Sequence, residues 1–391
     1  MKNLYNENEA KNLTSDLDLR VYTSNLLGQN DELVLHGGGN TSVKTKIDGE
    51  DVLLVKGSGW DLVSIEAEGF AGVKMNALLE MAKLSELSDS DMVSGQKAAM
   101  INKSAPNPSV EAILHAIIPY KFVDHTHADA VVTISNAVNG EENIKKIFPN
   151  FLIVPYVMPG FVLAHTVYEM TQGLDWKSIE GIILHNHGIF TFANDAKTSY
   201  DKMINAVTKA EEFLEQNAKI NLEHVLVRSD CDVLKIQKFF SAQKGYEVSV
   251  VINQSPLAKF YASQENLREI ASRGVLTPEH IIRTKRLPLI MEDTNLEKGV
   301  NDYREAYIEY FNRYAKDEIC LNPTPNYMII KNAAVISFGK NKKEAQIVND
   351  IVEHTMLAVL RADKLGGYKS ISEKDSFAME YWELEQAKLK S

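Results

Sequence analysis

The stretch Lys121-Phe122-Val123-Asp124-His125-Thr126-His127 does most to decide the fold of this 391-residue chain. Its apolar start predicts a strand over 121–126 that ends in a His-X-His pair. Residues i and i+2 of a strand point to one face, so both imidazoles can reach one ion. Glu111 lies upstream, and a third histidine follows at His187. Three neutral nitrogens with an open fourth position are typical of a catalytic metal. The alternative is that the histidines point outward and bond to the backbone.

Short strands and helices alternate outward from this stretch, and the pattern restarts after about residue 225. Strands are predicted over 33–36, 52–56, 121–126, 151–154, 181–184, 189–192 and 248–253, with a hairpin over 326–338. Helices are predicted over 69–84, 90–101, from Pro108 onward, and over 195–219, 264–273, 342–364 and 377–390. We therefore predict two domains, residues 1–230 and 231–391, with the break near 222–245.

Composition and charge favour a globular protein of the cytoplasm. Lys and Arg total 42 against 53 Asp and Glu, a net charge of −11, which argues against nucleic-acid or anionic-membrane partners. The most apolar segment, 151–167, is too short and too interrupted to span a bilayer, and residues 1–20 lack a secretory core. Two cysteines in no metal-like spacing fit a reducing compartment. Arg283-Thr284-Lys285-Arg286 is predicted to be solvated surface.

Two glycine-containing loops follow predicted strands. They are His36-Gly37-Gly38-Gly39-Asn40-Thr41-Ser42 and Lys56-Gly57-Ser58-Gly59-Trp60. Glycines let backbone N–H groups approach an anion, and the hydroxyl and amide side chains add donors. With the hydroxyl of Ser109, they indicate phosphate recognition, although each loop by itself is more often a plain turn. Neither loop matches a nucleotide-binding pattern.

These motifs together resemble the class II aldolase/adducin family. The matching elements, in the family's order, are Gly39-Asn40-Thr41-Ser42, Gly57-Ser58-Gly59, Ser109-Val110-Glu111 with His115, His125-Thr126-His127, Tyr156 and Asn186-His187-Gly188. Segments 276–285 and 380–389 extend the resemblance to the aldolase half of bifunctional rhamnulose-1-phosphate aldolase/short-chain dehydrogenase proteins. The chain carries no Gly-X-Gly-X-X-Gly unit, so we expect no NAD activity.

The resemblance implies a fold, a reaction and a site. The fold is a three-layer α-β-α sandwich with a largely antiparallel sheet, followed by a smaller C-terminal α/β domain. The reaction is zinc-dependent cleavage of a ketose 1-phosphate, of the rhamnulose- or fuculose-1-phosphate type, into dihydroxyacetone phosphate and an aldehyde such as lactaldehyde. A homo-oligomer, with a tetramer favoured, is also implied. By residue, His125, His127 and His187 would bind the metal, Glu111 and Tyr156 would be catalytic, and Asn40, Thr41, Ser42, Gly57, Ser58, Gly59 and Ser109 would bind substrate.

One departure and three alternatives remain open. Phosphate-specific members of the family usually carry two adjacent hydroxyl residues before the glutamate, whereas this chain has Ser109-Val110. A pentulose-phosphate 4-epimerase would resemble this chain but usually has aspartate where Glu111 stands. A sugar-phosphate dehydratase uses the same scaffold. An adducin-like interaction protein would share the fold without the histidine set.

Overall fold

The computed structural model describes residues 1–222 and 232–388, which form two compact units. The first comprises residues 1–135 and 141–213, and the second comprises residues 136–140, 214–222 and 232–388. The predicted domain boundary between residues 230 and 231 lies outside the described residues and stays a prediction. Within the second unit, Ala137 forms a β-bridge with Tyr368, and the Val138 N–H donates to the Gly367 carbonyl at 2.9 Å.

The first unit is built on a seven-stranded sheet. Its strands are β1 (Asn40–Ile47), β2 (Glu50–Lys56), β3 (Phe70–Lys74), β4 (Phe122–Thr126), β5 (Phe151–Val154), β6 (Gly181–Leu184) and β7 (Gly188–Ala193). They lie in the order β3-β2-β1-β4-β7-β6-β5, and every pair is antiparallel except β5 with β6. This confirms the predicted α/β fold with a largely antiparallel central sheet.

Helices cover both faces of this sheet. They are α1 (Glu7–Ala10), α2 (Asp16–Gly28), α3 (Met75–Ala82), α4 (Asp89–Ala98), α5 (Ala112–Ile117), α6 (Asp129–Ser135), α7 (Gly140–Ile147), α8 (Phe161–Met170) and α9 (Ala196–Asn217), with 3-10 turns at Leu62–Ser64 and Ala67–Gly69. Leu53 and Val55 of β2 pack with α3, α4, α5 and α8, whereas Leu54 packs with Val43, Leu19 and Ala196 on the opposite face. Alternation along one strand thus fills two cores, as a three-layer sandwich requires.

Two predicted elements near the amino terminus of the first unit are wrong. Residues 33–36 form a loop rather than a strand: Leu33, Val34 and Leu35 are buried apolar residues of that loop, and His36 is exposed. Residues 70–74 of the predicted helix 69–84 form strand β3, and the helix begins only at Met75. Strand β1 was missed because its sequence, Asn-Thr-Ser-Val-Lys-Thr-Lys-Ile, is polar on one face. Strands β2, β4, β5, β6 and β7 lie where they were predicted.

The second unit has a four-stranded sheet in the order β8-β11-β10-β9. The strands are β8 (Ser249–Asn253), β9 (Leu289–Met291), β10 (Tyr327–Ile330) and β11 (Ala334–Gly339). The helices are α10 (Val233–Lys244), α11 (Pro256–Ser263), α12 (Leu267–Ala271), α13 (Ile281–Thr284), α14 (Leu296–Tyr314), α15 (Lys342–Lys364), α16 (Glu373–Glu380) and α17 (Glu383–Lys388), with a 3-10 turn at Pro278–His280. The predicted hairpin is confirmed by the antiparallel pair β10–β11, and the helix predicted over 342–364 is confirmed by α15.

Two expectations for this unit need correction. The single helix predicted over 377–390 is the two helices α16 and α17, and residues 389–390 lie outside the described part of the chain. The basic run 283–286 is not solvated surface, since Lys285 is only 6% exposed. Its ammonium lies 3.7 Å from a carboxylate oxygen of Glu380 and 3.7 Å from the ring centroid of Tyr307.

No helix among residues 1–222 and 232–388 combines the length and the apolar character needed to cross a bilayer.

Candidate metal centre

Three histidines from two adjacent parts of the large sheet meet at one point. His125 is the fourth residue of β4, His127 follows the end of that strand, and His187 lies in the tight turn between β6 and β7. Strand β7 pairs with β4 in the register His125 opposite Phe190, which carries the turn to the His-X-His pair. Asn186 occupies the left-handed region at φ 59°, which asparagine tolerates in turns. The pairing of the two strands therefore assembles the cluster that the sequence predicted.

The spacing of the three imidazoles fits one metal ion. One nitrogen from each ring lies within 4.8 Å of the others, and the Nε2 atoms of His125 and His127 are 3.0 Å apart. Two nitrogens at about 2.0–2.1 Å from a tetrahedral zinc would be about 3.3 Å apart. The Nδ1 of His125 lies 3.1 Å from the Ile189 carbonyl, so it donates there and directs Nε2 toward the cluster. The described residues thus offer a three-histidine site that could hold a divalent metal.

Glu111 lies beside the histidines at the N-cap position of α5. Its Oε2 is 3.5 Å from His125 Nε2, and its Oε1 is 3.7 Å from His187 Nε2. The carboxylate is 6% exposed, and Oε1 is buried without a hydrogen-bond partner among the described residues. A buried carboxylate oxygen without a donor is costly unless an ion or a substrate supplies the missing partner. This oxygen supports both a metal at the cluster and a base beside it.

One face of strand β1 holds Glu111 and helix α5 in place. Asn40, Ser42 and Lys44 alternate along the strand and so point to the same side. Asn40 Nδ2 donates to Glu111 Oε2 at 2.6 Å, and Ser42 Oγ lies 2.8 Å from Nδ1 of His115. The Lys44 ammonium donates to three backbone carbonyls, those of residues 115, 118 and 120, at 2.9, 2.6 and 2.7 Å. The strand therefore secures both ends of α5 by side-chain contacts.

Two side chains at the contact between β1 and α5, those of His115 and Lys44, have lowered pKa values. The fully buried ring of His115 has a pKa well below its ordinary value, chiefly because burial disfavours the charged form, with His125, Lys44 and Arg20 adding repulsion. Burial also lowers the pKa of Lys44 to about 7. His115 is therefore a neutral imidazole beneath the centre at physiological pH.

The opposite face of β1 rests on a buried ion pair. Arg20 of α2 and Asp124 of β4 lie 2.5 Å apart, and both side chains have no exposed area. Arg20 also donates to Thr23 and Ser24, while Ser24 shares a 2.8 Å hydrogen bond with Thr41. Since Asp124 immediately precedes His125, the ion pair holds helix α2 against strand β4, which carries two of the three histidines.

The predicted substrate-binding residues fall into two groups. Thr41 and Ser42 are completely buried, and their hydroxyls bond to Ser24 and His115, so their predicted contact with substrate stays a prediction without support from this geometry. Asn40 is 7% exposed and contacts Glu111 directly.

The second group forms a pair of loops joined by backbone hydrogen bonds. The Ser58 N–H donates to the Asn107 carbonyl at 2.8 Å, and the Ser109 N–H donates to the Lys56 carbonyl at 3.0 Å. Gly57 is required in this contact, since a Cβ there would lie 2.5 Å from the ring of Pro106. Ser58 and Gly59 are exposed. Ser109 Oγ accepts from the Glu111 N–H at 3.2 Å, which connects this predicted phosphate loop to the centre.

Tyr156 lies in the segment between β5 and α8 and is half-buried. Its predicted catalytic role stays a prediction.

Two glycines permit the close packing of this site. Gly39 has φ +66°, and a Cβ there would lie 2.6 Å from the His125 carbonyl oxygen. A Cβ on Gly188 would lie 2.5 Å from the Thr126 carbonyl oxygen and 2.9 Å from Cε1 of His125. Both positions exclude any side chain.

Sequence reasoning missed Lys44, Arg20 and the bridging role of Asn40. The signal for two of them was present: residues 40, 42 and 44 alternate, and identifying β1 as a strand would have placed them on one face. Arg20 gave no local signal, because a basic residue on a helix near the amino terminus is ordinarily exposed.

Two family models match the chain. The model described as Class II Aldolase and Adducin N-terminal domain matches residues 19–214, and the model described as Aldolase class II, second domain matches residues 231–389. The first of these segments contains the histidine cluster. The second matches a family defined as the domain that follows a class II aldolase domain.

Individual proteins show the same likeness. Uncharacterized oxidoreductase YuxG of Bacillus subtilis (strain 168) is 29% identical over 419 residues, which cover 100% of this chain but 60% of that relative. This chain thus spans less than two thirds of that relative's length. The N-terminal class II aldolase domain of a conserved protein from Thermoplasma acidophilum is 44% identical, with a TM-score of 0.51, over 55% of this chain and 99% of that chain. L-fuculose-1-phosphate aldolase from Thermus thermophilus is 16% identical with a TM-score of 0.33 over 51% of this chain and 92% of that one, which is too low to bear on function.

The first family model alone matches half of the chain, and the residues it matches carry the histidine cluster, Glu111 and the Ser58–Ser109 loop pair. The chain therefore belongs to the class II aldolase and adducin family.

Proposed function

We propose that this protein is a divalent-metal-dependent aldolase that cleaves a ketose 1-phosphate into dihydroxyacetone phosphate and an aldehyde. The substrate would be of the rhamnulose- or fuculose-1-phosphate type, and the aldehyde would be one such as lactaldehyde. The observation that carries the proposal is the placement of Glu111 Oε1, which is buried, has no hydrogen-bond donor among residues 1–222 and 232–388, and lies 3.7 Å from Nε2 of His187 in the three-histidine cluster. A non-enzymatic interaction protein has no need for such an arrangement.

The cluster and the carboxylate divide the chemistry between them. Cleavage breaks the C3–C4 bond of the ketose, the C4 hydroxyl loses its proton as the aldehyde forms, and C3 gains a proton. His125, His127 and His187 would hold a divalent ion, zinc by preference, which would supply Lewis-acid stabilisation of negative charge on the ketose oxygens. Glu111 holds the proton that C3 receives, because its Oε1 faces the cluster. Tyr156 would receive the proton of the C4 hydroxyl as it releases its own phenolic proton to solvent, which restores the phenol.

The phosphate would bind at the loop pair of Ser58 and Ser109. Ser58 and Gly59 are exposed, and the hydroxyls of Ser58 and Ser109 can donate to an anion. Val110 has no hydroxyl to offer the phosphate, and its side chain packs against the apolar cluster that includes Ala112, Ile113 and Ala116 of α5. The substrate therefore relies on fewer side-chain donors than two adjacent hydroxyl residues would provide.

The name oxidoreductase belongs to the Bacillus subtilis relative, a longer protein of which this chain covers 60%. An assembly of several copies, with a tetramer favoured, and a cytoplasmic location stay predictions. Sedimentation analysis of the purified protein tests the assembly.

The decisive experiment is a substrate panel. Purified protein is first assayed for bound metal, then incubated with ketose 1-phosphates and the matching unphosphorylated ketoses, with dihydroxyacetone phosphate release coupled to NADH consumption. We expect release from at least one phosphorylated ketose and loss of activity after chelation. Metal-loaded protein that releases nothing from any of them would reject the aldolase function. Absence of any bound divalent metal after reconstitution would reject the metal centre as well.

A matched pair of variants tests the role of Glu111. Glu111→Gln keeps the size of the side chain and its acceptor for Asn40 but cannot hold a transferable proton, so metal content should stay and turnover should fall about 100-fold or more. Glu141→Gln, on an exposed glutamate of α7, is the control and should retain full turnover. Turnover of Glu111→Gln at the wild-type rate would show that Glu111 does not carry the proton.

A further inference from the structure

A continuous line of side-chain contacts runs from strand β1 to the carboxylate. Ser42 Oγ lies 2.8 Å from His115 Nδ1, His115 Nε2 contacts Asn40 Oδ1, and Asn40 Nδ2 lies 2.6 Å from Glu111 Oε2. Each of these four side chains is at least nine-tenths buried. Water therefore has little access to the line, and the side chains themselves must supply the donors and acceptors.

Chemistry fixes the direction of every bond in this line. The carboxylate of Glu111 only accepts, so the NH₂ group of Asn40 faces it and the Asn40 carbonyl oxygen faces His115. That oxygen also only accepts, so His115 must carry its proton on Nε2. A neutral imidazole protonated on Nε2 has a bare Nδ1, so the Ser42 hydroxyl must donate to it. Because burial lowers the pKa of His115 and keeps its ring neutral, only one arrangement of protons satisfies all three contacts.

We propose that His115 is a positioning residue that, as its Nε2–H tautomer, relays a one-way hydrogen-bond chain from Ser42 through Asn40 to Glu111. The relay binds Glu111 Oε2 to a donor and leaves Oε1, which faces His187 at 3.7 Å, as the oxygen that takes part in proton transfer. This inference rests on the proposed function in one respect only: it assumes that Glu111 is the group that carries the proton.

The position of the relay explains why a histidine stands in an otherwise apolar helix face. His115 has no exposed area and contacts Phe190 edge-to-face, with ring centroids 5.3 Å apart, so packing alone would favour a phenylalanine. A buried polar ring with both nitrogens engaged is retained where its orientation matters. Lys44 fixes the carbonyl of the same residue, so both the backbone and the ring of His115 are held.

The first test needs neither metal nor substrate. A long-range proton–nitrogen NMR spectrum of metal-free protein labelled with ¹⁵N-histidine reports which ring nitrogen of His115 bears the proton, and the signal that disappears in His115→Gln identifies the residue. We expect the proton on Nε2, and Ser42→Ala should shift the Nδ1 resonance while leaving the proton on Nε2. A proton on Nδ1, a doubly protonated ring, or an Nδ1 resonance unchanged in Ser42→Ala would overturn the relay.

The second test separates relay from packing by substitution. Glutamine places an N–H donor near the position of Nε2, asparagine reaches only the position of Nδ1, and phenylalanine fills the space without hydrogen bonds. The relay predicts that His115→Gln keeps most of the wild-type kcat, whereas His115→Asn and His115→Phe lower kcat about 10- to 100-fold without raising KM. A purely packing role predicts the opposite order, with phenylalanine the best replacement, and that order would refute the relay.

Ser24→Ala is the matched control, since it removes an equally buried hydroxyl on the other face of β1. It should cost stability, because Arg20 loses an acceptor, but it should leave kcat unchanged. A wild-type protein that cleaves no ketose phosphate would defeat the proposed function while the NMR result still decides the tautomer, so the two failures are distinguishable.

Discussion

Replacing Gly188 by alanine should weaken metal binding without touching any ligand. Gly188 is the first residue of β7 and immediately follows His187. A Cβ there would lie 2.5 Å from the backbone oxygen of Thr126, 2.9 Å from Cε1 of His125 and 3.1 Å from Cδ2 of His127. The nearest neighbour is backbone in the middle of a sheet, so rotation of a side chain cannot relieve the contact.

The size of the effect follows from the displacement that the methyl group demands. Real Cβ atoms essentially never approach closer than 3.0 Å, so β4 and β7 must separate by at least half an ångström. The side chains of a metal site must be placed to within about 0.5 Å, so this shift reaches that limit. We expect overpacking to lower the free energy of unfolding of the metal-free protein by about 1–3 kcal/mol. The misplaced imidazoles should bind metal about 10- to 100-fold more weakly.

Denaturant unfolding with and without zinc measures both effects. Each tenfold loss of affinity removes about 1.4 kcal/mol of the stabilisation that a fixed excess of metal provides. Gly72→Ala is the control, because its Cβ would meet nothing closer than the flexible end of Leu54 at 3.3 Å. Wild-type zinc affinity together with wild-type stability in Gly188→Ala would refute the claim that β7 approaches the histidine pair too closely for a Cβ at residue 188.

Three further predictions concern the layers around the cluster. Arg20→Met leaves Asp124 buried without its partner and should lower the free energy of unfolding by about 3–5 kcal/mol, measured by urea titration; a loss below about 1 kcal/mol would contradict the buried pair. Lys44 has a lowered pKa of about 7 in the folded protein against 10.5 as the reference, so the unfolded chain binds more protons between these values. The stability of the wild type relative to Lys44→Met should therefore rise as pH increases from 7 to 10, and a flat or falling difference would refute the assignment. Ser58→Ala should raise KM for a phosphorylated ketose about 5-fold, with little effect on an unphosphorylated one, if the lost hydroxyl contributed about 1 kcal/mol to phosphate binding; an equal effect on both would place the phosphate elsewhere.

Apolar strands of the large sheet could be predicted from the sequence, whereas the polar strand could not. Phe151–Val154 and Gly181–Leu184 are short apolar runs bounded by turn residues, and such runs have few alternatives to a buried strand. β1 has polar residues at positions 40, 42 and 44, because that face bonds to Glu111 and α5 instead of to a hydrophobic core. Because polar residues make these contacts with Glu111 and α5, β1 lacks the hydrophobic alternation by which strands are recognised.

Contacts between residues far apart in the chain account for most other features of the site that the sequence did not predict. The sequence predicted all three histidines, but only the register of β4 and β7 shows how the turn that carries His187 reaches the His-X-His pair. No local pattern could show that Asn40 would meet Glu111, since 71 residues separate them. Helix α11 is a different case: Ser255 caps it and Pro256 begins it, a start signal that was present in the sequence and was overlooked.

The bridge between Ala137 and Tyr368 has a consequence for how the chain is made. About 230 residues separate the two partners, so joining them closes a very long loop, and such contacts form late in folding. A ribosome that adds about 5–20 residues per second needs roughly 10 to 50 s to deliver Tyr368 after Ala137 has emerged. For most of that interval the first unit has been fully synthesised while residues 136–140 lack the partner at Tyr368. Co-translational survival of that half, rather than the final stability of the whole protein, would then set the yield at elevated temperature.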